Sequence, residues 1–193
     1  MTRLVLLLGV CFVVLISTSC SGSVFKVKPV AELPPLPANT RSAEADGVTL
    51  RVAPLLTDEQ TQELFEANLP LSGVLPVRVE LAFQNGAAIE LNKARFHLRD
   101  DQNHEWKLLS PKRAVSRIMK ANGVTLYNPN SRKQFEQEFG AYAIDLKAPL
   151  ASNSPRRQGF LFFQPPDKKA VTTAQKLTLT VERLPQTVSV AVN

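Results

Sequence analysis

From Val48 onward the apolar residues recur mostly at every second position, and that spacing commits most of the chain to sheet. In "VTLRV", Val48, Leu50 and Val52 share a face. In "LPVRVELAFQNG", Val77, Val79, Leu81 and Phe83 do the same, with Arg78, Glu80 and Gln84 opposite them. A pleated strand sends successive side chains to opposite faces, so this alternation places one face on a core and leaves the other wet. The pattern returns in "AAIEL", in "ARFHL", in "EWKLL", in "QGFLFFQ", in "KLTLTVERL" and in "TVSVAVN". Asn85-Gly86 reads as a hairpin turn between "LPVRVELAF" and "AAIEL", and Asp100 to Asn103 as a second turn. About seven strands with turn signals between them predict an antiparallel β-sandwich. The unbroken run Phe160 to Phe163 predicts a strand covered on both sides, with helix on its outer face.

Three segments have helical spacing instead. "TDEQTQELFEANL" opens with Thr57 and Gln60 at capping-box distance and with acids in the first turn, where the helix dipole favours them. "SPKRAVSRIMKANG" has Ser110 to cap, Pro111 at the first helical position, Ala114, Val115, Ile118 and Met119 on one face, and Asn122-Gly123 to stop it. "SRKQFEQEFGAYAI" puts Phe135, Phe139 and Tyr142 one above another. The last two lie between strands, so they predict a helical insertion near residues 110–143, packed on one sheet or across one end.

The N-terminus carries an address. Arg3 precedes Leu4 to Ile16, an uncharged apolar run of thirteen residues. That is the length of a signal-peptide core and short of the ~20 residues a membrane-spanning helix needs. "LISTSCSGS" then brings small polar residues and Cys20. Ile16, Ser17, Thr18, Ser19 and Cys20 resemble the lipobox of bacterial lipoprotein precursors, with Ser17 where leucine is commonest. The resemblance implies diacylglyceryl attachment to the Cys20 sulfur, cleavage before Cys20 and acylation of the new amino terminus. Several acyl chains on one residue hold firmly where one holds marginally. Ser21 after the cysteine, in place of aspartate, points to the outer membrane facing the periplasm in a Gram-negative cell. The organisation expected is a signal peptide over 1–19, a proline-rich tether over 20–46 and a β-domain over 47–193. Pro29, Pro34, Pro35 and Pro37 make the tether stiff and extended, holding the domain about 30–80 Å from its anchor.

The run "LFEANLPLSGVLPVRVELAFQN" resembles bacterial envelope proteins in which a short helix leads through a glycine and "PV" into the first long core strand of an immunoglobulin-like domain. "GFLFFQPP" followed by "KLTLTVERL" is similar to the closing strands of such domains. The resemblance implies an immunoglobulin-like antiparallel β-sandwich and carries no activity with it.

Catalytic constellations are hard to find. Of the two cysteines, Cys11 lies in the cleaved run and Cys20 is the acylated one, which leaves no thiol nucleophile, disulfide or thiolate metal site. There is no G-x-S-x-G, no phosphate-binding loop and no dinucleotide fingerprint. Ser152 and Ser154 fall in a loop-like stretch, and Glu136 and Glu138, two apart on a helix, do not face one another. His97, Asp100, Asp101, His104 and Glu105 lie within nine residues. Imidazoles and carboxylates suit a divalent ion, but this spacing is none of the recurring zinc patterns, and it reads as a polar hairpin end. No metal, cofactor or enzymatic activity is expected.

The formal charge is +6, with basic residues grouped at Lys107, Lys112, Arg113, Arg117 and Lys120, at Arg132 and Lys133, at Arg156 and Arg157, and at Lys168 and Lys169. An exported chain does not meet nucleic acid. The partners expected are therefore the membrane through lipidated Cys20 and an envelope protein or an anionic surface. The basic amphipathic helix from Pro111 would suit a membrane surface. The expected role is binding, scaffolding or assembly in the envelope. An envelope hydrolase would require a histidine facing a polar cleft. A small-ligand carrier would require a sizeable pocket.

Overall fold

The computed structural model describes residues 24–37, 40–125, 128–171 and 176–193. Eight strands, β1 (Arg41–Ala45), β2 (Val48–Pro54), β3 (Leu75–Phe83), β4 (Arg95–Asp100), β5 (Glu105–Leu109), β6 (Arg156–Gln164), β7 (Leu177–Glu182) and β8 (Val188–Ala191), form one sheet. Its order is β1-β2-β3-β6-β5-β4-β7-β8, and every neighbouring pair is antiparallel. The sheet curls until β8 lies against β1, although no ladder joins them among the described residues. The result is a nearly closed barrel rather than a sandwich of two separate sheets. The reason lies in β5, which hydrogen-bonds on both sides. Trp106 and Glu105 pair with Leu98 and Arg99 of β4, and Lys107 to Leu109 pair with Gln164 to Phe162 of β6. One strand thus bridges what would otherwise be two layers.

Helices α1 (Asp58–Phe65), α2 (Pro111–Ala121) and α3 (Pro129–Gly140) form where their local signals predict. Thr57 accepts from the Gln60 amide at 3.3 Å while the Gln60 side chain accepts from the Thr57 amide at 3.2 Å, the reciprocal capping box. Ser110 caps α2 through the Arg113 amide at 3.4 Å. The third helix starts ahead of the stretch beginning at Ser131, because Asn128 accepts from the Asn130 amide at 2.9 Å and Pro129 takes the first helical position.

Two cores share a wall. Inside the barrel, Leu50, Val77, Val79, Leu81, Leu98 and Phe163 meet Leu179 and Val181. Outside it, the helices cover the other face of β6 with Phe65, Ile118, Phe135, Phe139 and Tyr142 against Phe160 and Phe162. The double coverage read from "FLFF" is what the structure has. Phe65 is the hub of the outer core, with ring centroids 5.1 Å from Phe139, 5.0 Å from Tyr142, 5.9 Å from Phe160 and 6.5 Å from Phe162. These are tilted and edge-on contacts, the arrangements aromatic quadrupoles prefer.

Two expectations fail. Asn85-Gly86 makes no hairpin: "AAIEL" holds only a single bridge, Ile89 to Leu150, and a 3-10 turn over Leu91–Lys93. Both edges of β3 are already taken, by β2 and by β6, so no place is left for a third partner. The hairpin is at Asp46-Gly47, where β1 turns into β2 with positive φ at both residues, 45° and 75°. Asn85 packs against that turn instead, so close that a Cβ on Gly47 would lie 2.6 Å from its carbonyl oxygen.

The stretch expected as a free tether over 20–46 is the larger correction. From Val24 it lies on the domain as a strap. Phe25 packs on Phe135 with the rings tilted and their centroids 5.1 Å apart, the Lys28 amide donates to Leu64 O at 2.9 Å, and the Tyr142 hydroxyl donates to Lys28 O at 2.7 Å. Farther on, Arg78 donates to Pro34 O and Arg51 to Pro37 O, and residues 41–45 become β1. Proline keeps the strap extended on either side of a 3-10 turn over Val30–Glu32 and removes amide donors that would otherwise need partners, while Phe25, Val27, Leu33 and Leu36 give it an apolar underside.

Truncating the hub tests the shared wall. Phe65→Ala is expected to cost about 3–5 kcal/mol, read as a lower urea midpoint at unchanged slope; a loss below ~1 kcal/mol would contradict the packing described.

Candidate functional site

The polar cluster read between His97 and Glu105 sits on the β4–β5 hairpin and is divided by it. His97 lies on the outer face of β4, its Nδ1 2.7 Å from Glu105 Oε1 and its Nε2 3.7 Å from Glu182 Oε2. The hydrogen bond from His97 holds the Glu105 carboxyl below its usual range, ahead of smaller help from the charges of His97 and Arg99. Glu182 was not foreseen because it arrives from β7, where Arg95 and Glu182 are paired across the ladder. His104 and Asp100 form a separate pair in the turn, 3.2 Å apart. Asp101 is exposed in the turn and joins neither pair. Among the described residues no group of three or more histidine, cysteine or acidic side chains is placed to hold a metal ion.

Asp100 builds the turn. Its Oδ1 accepts from the amides of Gln102 at 3.0 Å and His104 at 2.8 Å, and Asn103 takes a positive φ of 64° to complete the reversal. Desolvation pushes the Asp100 carboxyl upward. The amide and ring of His104 and the amide of Gln102 together outweigh it, and the group ends below its usual range.

This turn forms one wall of a cleft of about 530 Å³ at the end of the barrel. Asp100, Gln102, His104 and Trp106 line one side, with Pro165, Pro166, Asp167 and Lys169 opposite. Trp106 is 3 % exposed, and its indole Nε1 has no hydrogen-bond partner. A buried donor left unpaired is costly, and the cleft beside it has the mixed polar and apolar lining of a small-molecule site. His104 faces this cleft with an exposed ring, and none of the described residues that line it carries a hydroxyl or thiol. Ser154 is engaged elsewhere, accepting from Arg157 at 2.8 Å.

A second cavity, of about 350 Å³, lies under the strap among Pro34, Pro35, Leu55, Leu64 and Arg78. Arg78 is 5 % exposed and pinned between Pro34 O and Gln158 Oε1, with its Nε unpaired. Burial pulls its pKa downward, Glu80 opposes that, and Glu80 itself pairs with Arg51 at 3.2 Å. The aromatic stripe Phe135, Phe139 and Tyr142, open in sequence to a partner, is consumed by the outer core and the strap. Cys20 lies outside the described residues.

A mainly-β, nearly closed antiparallel barrel with a helical layer is thus the class defined by the chain. No protein-family model matches it, and neither a curated protein nor a solved structure does.

The turn gives a pH test. Because the Asp100 pKa is depressed in the fold, its stabilisation is whole above the unfolded value of about 3.9 and fades as pH falls through the folded value. Asp100→Asn is expected to cost about 0.5 kcal/mol at neutral pH, a charge-assisted increment discounted for solvent contact. The difference should vanish in acid; a gap unchanged down to the acid limit of folding would contradict the assignment.

Proposed function

We propose that this chain is a lipid-anchored cell-envelope protein with a non-catalytic role in binding, scaffolding or assembly at a membrane surface. The lipobox-like stretch ending at Cys20 supports the anchor. The observation that carries the reading further is the docked strap. Val24 follows Cys20 by four positions. Four residues of fully extended chain reach at most about 14 Å. A lipid on Cys20 would therefore hold the folded domain against the bilayer, at a fraction of the distance a free spacer allows. The location proposed is the outer membrane, facing the periplasm, in a Gram-negative cell. The partners are the membrane and either an envelope protein or an anionic surface.

We further propose that the barrel is a variant of the immunoglobulin-like sandwich. The strands β1-β2-β3-β6-β5 and β4-β7-β8 face one another across the barrel core, as the two layers of an immunoglobulin-like sandwich do. The joining of the layers through β5 is the departure.

The small-ligand carrier is the second reading, favoured by the cleft beside Trp106 with its mixed polar and apolar lining. An envelope hydrolase has less support, because no described residue of that cleft sets a hydroxyl or thiol beside His104.

Metabolic fatty-acid labelling tests the anchor. Label is expected in the wild-type protein and absent from Cys20→Ala, which should also leave the membrane fraction. Equal lack of label in both would overturn the reading.

A further inference from the structure

We infer that the outer face of α2, with the Leu71 turn beside it, rests on the anionic headgroups of the membrane that anchors the chain. This inference rests on the proposed lipidation of Cys20 and adds which face of the domain meets the bilayer, and by what chemistry.

Three independent observations converge. The first is charge. Over Pro111–Ala121 the helix buries Ala114, Val115, Ile118 and Met119 and has no acidic residue. Lys112, Arg113 and Lys120 stand exposed on its outer side, and Lys133 on neighbouring α3 is exposed as well. The ion pairs of the helical layer are Lys28–Glu63 and Arg132–Glu136, so the cations of α2 have no carboxylate partner among the described residues. Basic groups held near an anionic leaflet are attracted within a Debye length of it.

The second is an apolar residue held out to solvent. Leu71 is 59 % exposed, more than any other large hydrophobic side chain described. Its turn is stiff rather than loose. The Leu71 amide donates to Asn68 Oδ1 at 2.7 Å, the Gly73 amide to Pro70 O at 2.9 Å and the Val171 amide to Pro70 O at 2.8 Å. Arg117 of α2 reaches across to Lys168 O at 3.0 Å, and its guanidinium lies against Gly73. The turn is thereby fixed to the basic helix. A lone leucine beside cations is the arrangement that enters the boundary between headgroups and acyl chains.

The third is where the chain leaves the domain. Phe25 sits on Phe135 of α3, the Lys26 amide donates to Glu66 Oε2 at 2.6 Å, and α3 is joined to α2 by Arg132 donating to Ser116 Oγ at 2.9 Å. The root of the tether is in the helical layer, and the reach from Cys20 is at most about 14 Å. Strand β8 lies halfway round the sheet from β6, the strand the helices cover, and faces away. A short leash rooted among the helices presents the helices to the bilayer.

The test uses the purified, lipidated full chain in vesicles of phosphatidylcholine, with or without phosphatidylglycerol, containing a headgroup spin-labelled lipid. With Cys20 acylated, Ala121→Cys at the end of α2 and Ser189→Cys on β8 each introduce one thiol for a fluorophore. The label at 121 should be quenched several-fold more than the label at 189, and more strongly in anionic than in neutral vesicles. High salt, or Arg113→Glu with Lys120→Glu, should bring it down to the level of 189 while the protein still floats with the vesicles. Both substituted residues are exposed, so the melting temperature should not move. Equal quenching at the two positions with flotation intact would overturn the docking face and leave the anchor standing. Failure of the unsubstituted chain to float would overturn both. Shielding of the label at 121 by polyglutamate but not by vesicles would overturn the membrane in favour of an acidic protein partner.

Discussion

Strand β6 is the wall on which both cores are built. Leu161 and Phe163 face the barrel interior while Phe160 and Phe162 face the helices, all nearly free of solvent. A strand so placed has no polar face, and the hydrophobic effect acts on both of its sides at once. Its two edges are occupied as well. β3 takes one edge, and β5 shares the other with the segment after α3, where Ala143 bridges to Phe160. Gly159 makes that last contact feasible. A Cβ there would lie 2.5 Å from Ile144 N and Cα, so only glycine lets the two backbones come this close. The helical layer, the barrel and the strap, which lies on Phe135 and Tyr142, all depend on this strand staying in register.

What could be read from the residues was whatever depends on neighbours in the chain. The alternation in Val77 to Phe83, the capping box at Thr57, the cap and stop of α2 and the double burial of Phe160 to Phe163 are local patterns with local causes, and they reappear in the fold. Pairing is not local. Nothing near Phe160 says that β6 will lie between β3 and β5, or that β5 will bond both ways and turn a sandwich into a nearly closed barrel. The two turn dipeptides show the same limit. Asn85-Gly86 and Asp46-Gly47 have equivalent local chemistry, and only the prior occupation of both β3 edges decides between them. The candidate site was half legible for this reason. His97, Asp100, His104 and Glu105 stood out together, whereas Glu182 and the Pro165 to Lys169 wall reach the hairpin through tertiary structure alone.

The strap shows that composition and location are separate properties. Four prolines in a short stretch do make an extended chain, and the strap is extended except for a 3-10 turn over Val30–Glu32. Composition does not say whether an extended chain is free. Phe25, Val27, Leu33 and Leu36 were the overlooked signal, since a solvated spacer has no use for apolar residues at those positions. Docking the strap changes the mechanics of the proposed anchor. A spacer would let the domain sample the space above the membrane. On that proposal a strap would keep the helical layer at the surface, with the cleft beside Asp100 and Trp106 open to a soluble molecule.

Amide hydrogen exchange reads directly whether residues 24–37 belong to the folded domain. The Lys28 amide, donated to Leu64 O at 2.9 Å, should be protected to a degree comparable with the amides of α1. Exchange of the Lys28 amide at the rate of unstructured chain, with α1 still protected, would contradict it and return the segment to a free tether.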